Sequence, residues 1–399
     1  MNPVADNAAS GTHRRLRILS VIKVLGFGGA ERLLVETVAT MDRDAFECEV
    51  AYVLDAHDGL APTIRDGGTP VHSLGATRSA DLRWVLHLRA LIREGSFDVV
   101  HFHLPYTAGF GRIAVATLPR SQRPAVIYTE HSLWSKAAII TKAINRMGVD
   151  RDQALIVVSE AAHDALPPAL QDRAHVIVHG VDMSQADALI ARRDEIRRDV
   201  RSELGIRDGH VLILTVANLR SEKGYDVLLD AARLLIDRGV PMQIAAVGTG
   251  PLEDEVRSQH QALDLGDHVQ LLGQRGDVPR LLAGSDVFVL ASHQEGLPVS
   301  LMEATSMGMP IVATAVGGVP QVITDDVDGL IVPPGDPVRL ADALQRVVAD
   351  PALRLRLGQG AKAKSAMFDV AASSRQIEEI SRQAVAVNRA GRPSGAHPA

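Results

Sequence analysis

The sequence predicts a doubly wound α/β protein in two domains, each with its own parallel sheet. Three observations carry this reading. Short β-branched and apolar runs alternate with longer segments of helical periodicity, the pattern of βαβ units. At 399 residues the chain is longer than one hydrophobic core usually supports. The first apolar run also enters a glycine turn, "VIKVLGFGGAERLL" from Val21 to Leu34. It leaves that turn at helical spacing through Leu33, Leu34, Thr37, Val38 and Met41.

In the first half the expected strands are Arg17 to Val24, Cys48 to Leu54, Phe97 to Phe102, Ala125 to Tyr128, Ala154 to Val158 and His175 to Val178. In the second they are His210 to Ala217, Gln243 to Val247, His268 to Leu272, Asp286 to Ala291, Pro310 to Ala315 and Gly329 to Val332. Between the sets, Asp187 to Gly205 reads as a charged helical connector, which puts the boundary near Met183. The domains are then residues 16–183 and 184–370. Residues 1–15 and 388–399 are small, polar or rich in Gly and Pro, and disorder is expected there.

Composition narrows the function. A formal net charge of -6 and 3% aromatic residues argue against a dedicated nucleic-acid binder, which needs a basic face and stacking rings. The single cysteine, Cys48, can form neither an internal disulfide nor a cysteine metal cluster and fits a reducing compartment. The apolar run from Leu16 to Leu25 is interrupted by Arg17 and Lys23 and reads as a strand rather than a signal peptide. Nowhere do about 18 uncharged apolar residues follow one another, so no membrane span is expected.

Two stretches of the second half could carry chemistry. In "DVFVLASHQEGLPVSLMEA" a buried strand ends in a polar loop with Glu295, and Pro298 opens a helix containing Glu303. Carboxylates at a strand's carboxyl end suit sugar or ribose hydroxyls, and amides of Gly296 to Val299 at the helix start would favour a phosphate by roughly 0.3–1 kcal/mol. Solvated glutamates on a capped surface helix are the alternative. In "TVANLRSEKGYDVLLDA", Arg220 and Lys223 lie between a strand end and a helix start, an anion site that needs no metal; a solvated loop is the alternative. "VGTGP" reads as a tight turn.

In the first half, His101 and His103 end one strand and His131 another. No third metal ligand sits nearby in sequence, so His103 is read as a substrate contact and His101 as a satisfied buried histidine. His131 is a cleft residue or a helix cap. The stretch Leu133 to Arg151, with Trp134, Lys136, Ala138 and Lys142, reads as a core-packed amphipathic helix, with an anionic membrane face as the competing reading. The glycine turn lacks the third glycine of a dinucleotide fingerprint: that position is Glu31, as it is Glu253 after "VGTG", which disfavours a nicotinamide cofactor.

In order, "GFGGAERL", "VVHFHLP", "YTEH", "VHGVD", "VANLRSEKGYDVLLDA", "VGTGP", "SDVFVLASHQEGLPVSLMEA", "GMPIVATAVGGVPQVI" and "DGLIVPPGDPVRLADAL" resemble the retaining glycosyltransferases of family 4, over roughly residues 16–385. The resemblance implies the GT-B fold: two facing Rossmann-like domains, parallel sheets and a deep interdomain cleft. It also implies that the segment 371–387 is a helix crossing back to the first domain. Glu295 and Glu303 match the family's E-x7-E pair, the first toward the transferred sugar and the second toward the ribose. Lys223 matches the diphosphate-binding lysine. Gly296, Leu297 and Val299 would complete the pocket, with Arg275 to Val278 near the base. Gly28 and Gly29 match the loop that closes over the diphosphate, His131 a histidine near the transferred sugar, and His103 one on the acceptor side. Two positions depart from the pattern. Asn218 stands where arginine is usual, leaving Arg220 to supply the charge, and His179 replaces asparagine in "HGVD", a change placed in the linker.

The expected activity is therefore transfer of a sugar from a UDP-, GDP- or ADP-sugar to a hydroxyl of a carbohydrate or lipid-linked acceptor, with retention of configuration. The expected setting is bacterial polysaccharide or glycolipid synthesis in the cytoplasm, with peripheral membrane contact open. No metal or cofactor is expected, and no nucleic-acid partner. A nucleotide-sugar epimerase on the same fold and a non-catalytic sugar-nucleotide binder are the alternatives.

Overall fold

A computed structural model describes residues 14–131 and 139–391. The expected disorder at 1–13 and 392–399, and Trp134, Lys136 and Ala138, lie outside the described residues. The first sheet has seven strands: β1 (Leu16–Ile22), β2 (Phe46–Leu54), β3 (Val71–Ala76), β4 (Val99–His103), β5 (Ala125–Glu130), β6 (Ala154–Val157) and β7 (Ala174–Val176). Their order is β3-β2-β1-β4-β5-β6-β7 and all pairs are parallel. β3 is absent from the sequence reading. Its residues, "VHSLGA", mix polar and apolar side chains because it is an edge strand, buried on one side only.

The second sheet holds β8 (Val211–Val216), β9 (Met242–Val247), β10 (Val269–Gly273), β11 (Val287–Leu290), β12 (Ile311–Thr314) and β13 (Leu330–Val332), in the parallel order β10-β9-β8-β11-β12-β13. In each sheet the chain reverses its direction of travel once, between β1 and β4 and between β8 and β11. The loops beyond the carboxyl ends at such a switch point form the ligand crevice of an open α/β sheet.

Four helices matter for the site. α1 (Gly29–Thr40) follows β1, α2 (Tyr225–Asp237) follows β8, α3 (Val299–Ser306) follows β11, and α4 (Val370–Ala390) ends the described chain. The charged connector is two helices, Met183–Ala191 and Arg193–Glu203. Asp182 caps the first by accepting from the Ser184 and Gln185 amides. The helix Ile139–Val149 lies close against Pro105–Ala116. A Cβ on Gly109 would come within 2.9 Å of Ile144 Cγ2, so the described part of this amphipathic stretch is packed on protein. Among the described residues no helix is long and apolar enough to cross a membrane.

The chain passes between the domains twice, and the two passes are bonded to each other. Val181 N donates to Phe368 O at 2.9 Å, and Val370 N to Val181 O at 3.4 Å. A Cβ on Gly180 would lie 2.3 Å from Val370 N, so only glycine allows this approach. After the second pass, α4 is capped by Asp369 and lies across the first sheet. There Ile377, Ile380, Ala384 and Val385 share a core with Ile18, Val99, Ile127 and Ile156. The helix runs to Ala390, past the Val387 at which the sequence reading ends it, and Asn388 Nδ2 donates to Arg123 O at 3.1 Å, so 388–390 are ordered rather than tail. Ile377→Ala should therefore cost about 2–5 kcal/mol, as large-to-small changes in a sealed core do. Urea unfolding followed by tryptophan fluorescence, to which the first-domain core residue Trp84 contributes, is the check, and an unchanged midpoint would contradict this packing.

Candidate active site

The second domain builds its part of the site from the loops after β8 and β11. Lys223 closes a single 3-10 turn, Ser221–Lys223, and Gly224 at φ +64 redirects the chain into α2. A Cβ on Gly224 would sit 2.1 Å from Ala291 O, so glycine is needed for the turn to press on the end of β11. The amides of His293 and Gln294 both donate to Glu222 O, at 2.9 and 3.2 Å, locking the two loops. Lys223 Nζ consequently lies 2.7 Å from both carboxylate oxygens of Glu295, and Ser292 Oγ donates to Oε1 at 2.6 Å. Glu295 is 6% exposed. On its far side, Gly317 at φ +53 would place a Cβ 2.1 Å from Glu295 O, and Gly318 N donates to Gly296 O at 2.6 Å.

α3 starts at Val299, with Pro298 at the cap. Of the Gly296 to Val299 positions expected to offer amides to an anion, Pro298 has none to give, and the Leu301 and Met302 amides bond back to Pro298 O. The leading helical donors are therefore Val299 and Ser300. Leu297 and Val278 are buried in the apolar core of the second domain.

The first domain reaches this region through the glycine turn. Gly28 caps α1, and a Cβ there would fall 2.2 Å from Glu31 Oε2, because the Glu31 side chain folds back over the turn. A Cβ on Gly29 would lie 3.2 Å from Val299 Cγ2, so the starts of α1 and α3 touch across the domains. One helical turn further along each, Arg32 meets Glu303 at 2.8 Å. Burial raises the Glu303 carboxyl above the usual carboxylate range; the Arg32 guanidinium pulls it back and Glu36 pushes it further up. Glu31 is likewise raised by burial, with its own amide and Arg220 acting the other way. Lys23 Nζ rests 4.9 Å from the centre of the Tyr106 ring, and burial together with the Arg220 charge lowers its ammonium. Arg220 thus acts on both Lys23 and Glu31 from the opposite domain.

Four histidines cluster at the ends of β4, β5 and β7. His101 stacks on His103 at 4.2 Å, His103 Nδ1 and His131 Nε2 share a hydrogen bond of 3.1 Å, and the His131 and His179 rings are 5.5 Å apart. His101 is satisfied by Thr129 Oγ1 at 2.7 Å, in line with its structural reading. His103 Nε2 and His131 Nδ1 are buried without a hydrogen-bond partner among the described residues. With one proton in the shared bond, the outer nitrogens of the neutral pair are one donor and one acceptor, a match for hydroxyls. Behind them Tyr128 donates to Glu130 at 2.6 Å and accepts from Asn145 at 3.2 Å.

Lys223, Glu295, Glu303, Gly29 and Val299 are brought to one region, as are His103 and His131. Arg275 is bound to Asp277 at 2.8 Å and to Glu203 at 2.7 Å, in a network shared with Arg280. His179, assigned to the linker, belongs to the histidine cluster. Arg32, Lys23 and Ser292 were not singled out by sequence. Helical spacing could have found Arg32, three residues after Gly29 and so on the same face of α1.

The histidine cluster makes the stability of the fold depend on pH. Burial holds His101 down at about 3 and His179 at about 4, and lowers His103 and His131 well below the ordinary value. The unfolded chain therefore takes up protons that the folded one refuses, and stability falls as pH drops below about 6.5 toward 4. The unfolding midpoint temperature should decline over that window, and His179→Asn should make the decline shallower. An identical pH slope in the two proteins would refute the assignment.

Comparisons with known proteins bear on the fold and the family. Residues 27–185 match the family model for Glycosyltransferase Family 4, and residues 196–364 the model for Glycosyl transferases group 1. A D-inositol 3-phosphate glycosyltransferase of Xylanimonas cellulosilytica is 30% identical, with 71% of each chain covered. The UDP-Gal:alpha-D-GlcNAc-diphosphoundecaprenol alpha-1,3-galactosyltransferase of Escherichia coli is 25% identical over 86% of this chain and 91% of its own. The crystal structure of Anabaena HepE in complex with UDP-glucose superposes with a TM-score of 0.79 at 22% identity, covering 92% of this chain and 99% of that one. With two parallel sheets, glycine-tightened loops meeting across the domains and family models spanning both halves, the chain belongs to the family 4, group 1 glycosyltransferases and has the GT-B fold.

Proposed function

We propose that the protein transfers a sugar from a nucleoside-diphosphate sugar to an acceptor hydroxyl with retention of anomeric configuration. The observation that carries this reading is the meeting of the two switch-point loops: the Gly28–Gly29 turn of one sheet touches α3 of the other, beside Lys223, Glu295 and Glu303. Lys223, Arg220 and the Val299 and Ser300 amides are the groups that take the charge left on the departing diphosphate, work a preorganised donor does at about 2.7–4 kcal/mol apiece. Lys23, opposite Arg220, adds a cation from the first domain. In this account the cations do what a divalent ion does elsewhere, so no metal is needed. The bond from the anomeric carbon to the diphosphate breaks, the acceptor oxygen bonds to that carbon on the same face, and the acceptor proton passes to the leaving phosphate oxygen. Glu295 is assigned to holding Lys223 and the sugar, not to nucleophilic attack. Its two oxygens already accept from Lys223 and Ser292, which supports that assignment. Glu303 takes the ribose hydroxyls, while His131 and His103 meet hydroxyls of the transferred sugar and the acceptor.

The donor is a UDP-, GDP- or ADP-sugar. The acceptor is a carbohydrate or lipid-linked sugar of bacterial polysaccharide or glycolipid synthesis. The names of the two enzymatic relatives, with a diphosphoundecaprenol-linked sugar and an inositol phosphate, support a phosphorylated acceptor, and a lipid-linked one entails peripheral contact with a membrane.

Incubation with a panel of UDP-, GDP- and ADP-sugars and a polyprenyl-diphosphate-linked sugar should release nucleoside diphosphate only when acceptor is present, with the donor's anomeric configuration kept in the product by NMR. Release without acceptor would indicate an epimerase instead, and no release would indicate a binding protein. Excess chelator should leave the rate unchanged. Lys223→Met and Glu295→Gln should each lower turnover by about 100-fold to 1000-fold. Each single change leaves one partner of a buried pair alone, so the double variant, which removes both charges, guards against simple unfolding. Full turnover in the folded double variant would overturn the site.

A further inference from the structure

α1 and α3 begin against each other, and their spacing sets what meets next. Gly29 lies against Val299, and a Cβ there would come within 3.2 Å of Val299 Cγ2. Arg32 follows Gly29 by three residues and Glu303 follows Val299 by four, so both lie one turn along on the touching faces. They close at 2.8 Å, and Arg32 is the polar partner of the Glu303 carboxylate among the described residues. Glu303 is 7% exposed, between Met302 and Ala304, which are sealed from solvent. Glu36 and Asp182 line the same small cavity as Arg32 and Glu303, so one guanidinium serves a locally acidic corner.

We propose that Arg32 is a positioning residue for nucleotide recognition: from the first domain it holds Glu303 of the second as the carboxylate that accepts both ribose hydroxyls. This rests on the reading that Glu303 binds the ribose. A vicinal diol offers two O–H donors and needs two acceptor sites. The guanidinium pairs with Oε1 and leaves Oε2 open to the diol. Without the cation, burial favours the protonated acid, in which one of the two oxygens becomes a donor and the carboxyl accepts hydroxyls more weakly. Recognition of the ribose and contact between the domains then become one event, because the cation that prepares the carboxylate comes from across the cleft.

Calorimetric binding of UDP, GDP and ADP, each paired with its 2′,3′-dideoxy counterpart, tests this on the full chain. Wild type should bind one ribonucleotide at least 10-fold more tightly than its dideoxy form. Glu303→Gln should abolish that preference. Arg32→Met should abolish it too, weakening the ribonucleotide about 10-fold and the dideoxy form little, while Arg32→Lys keeps most of it. Combining Arg32→Met with Glu303→Gln should add nothing to Glu303→Gln alone, and this uncharged pair stays informative if Arg32→Met does not fold. If Glu303→Gln retains the preference, or no nucleotide binds, the reading of Glu303 fails and the inference falls with it. If Glu303→Gln loses the preference but Arg32→Met keeps it, or weakens both forms equally, the role of Arg32 alone is overturned.

Discussion

Glu295 is a carboxylate almost sealed from water, and Lys223 meets both of its oxygens. That pair depends on two strand ends being neighbours, which only the reversal of strand order between β8 and β11 provides. It depends equally on backbone contacts no side chain tolerates. Gly224 lets the lysine turn lie on Ala291, and Gly317 lets the next loop lie on Glu295. Burying either charge alone would be costly, so loop conformation, strand order and ion pair are mutually required.

The same logic explains what the sequence could disclose. Features local in the chain were legible: the glycine turn, the alternation of strands and helices, the Glu295 and Glu303 spacing, and Lys223 before a helix start. β3 escaped because an edge strand need not be continuously apolar. Arg32 and Lys23 escaped because a lone cation acquires meaning only from its partner, and Glu303, Tyr106 and Arg220 lie in other segments. His179 read as a linker substitution, since nothing in the pattern of one strand shows that its end comes beside two others. Arg275 shows the converse: a residue placed by motif can have its charge already committed to Glu203 and Asp277.

Across the cleft the charges are arranged asymmetrically. The second domain contributes Lys223, already matched by Glu295, and Arg220, exposed and acting on first-domain groups. The first domain contributes Lys23, set against an aromatic ring, and Arg32, committed to Glu303. Lys23 and Arg220 are like charges facing each other, an arrangement that an intervening anion stabilises and an empty space does not. The neutral histidine pair offers a donor and an acceptor rather than a charge.

The return of α4 onto the first sheet bears on how the molecule is made. During synthesis the strands of the first domain leave the ribosome before any of the second, yet the helix that covers Ile18, Val99, Ile127 and Ile156 is translated after Phe368. The later domain is continuous in the chain and can close while the earlier one still shows an uncovered apolar face. Domains usually mature in the order they are synthesised; here the last helix to emerge completes the first domain, and until it arrives that face is a surface for chaperones to hold.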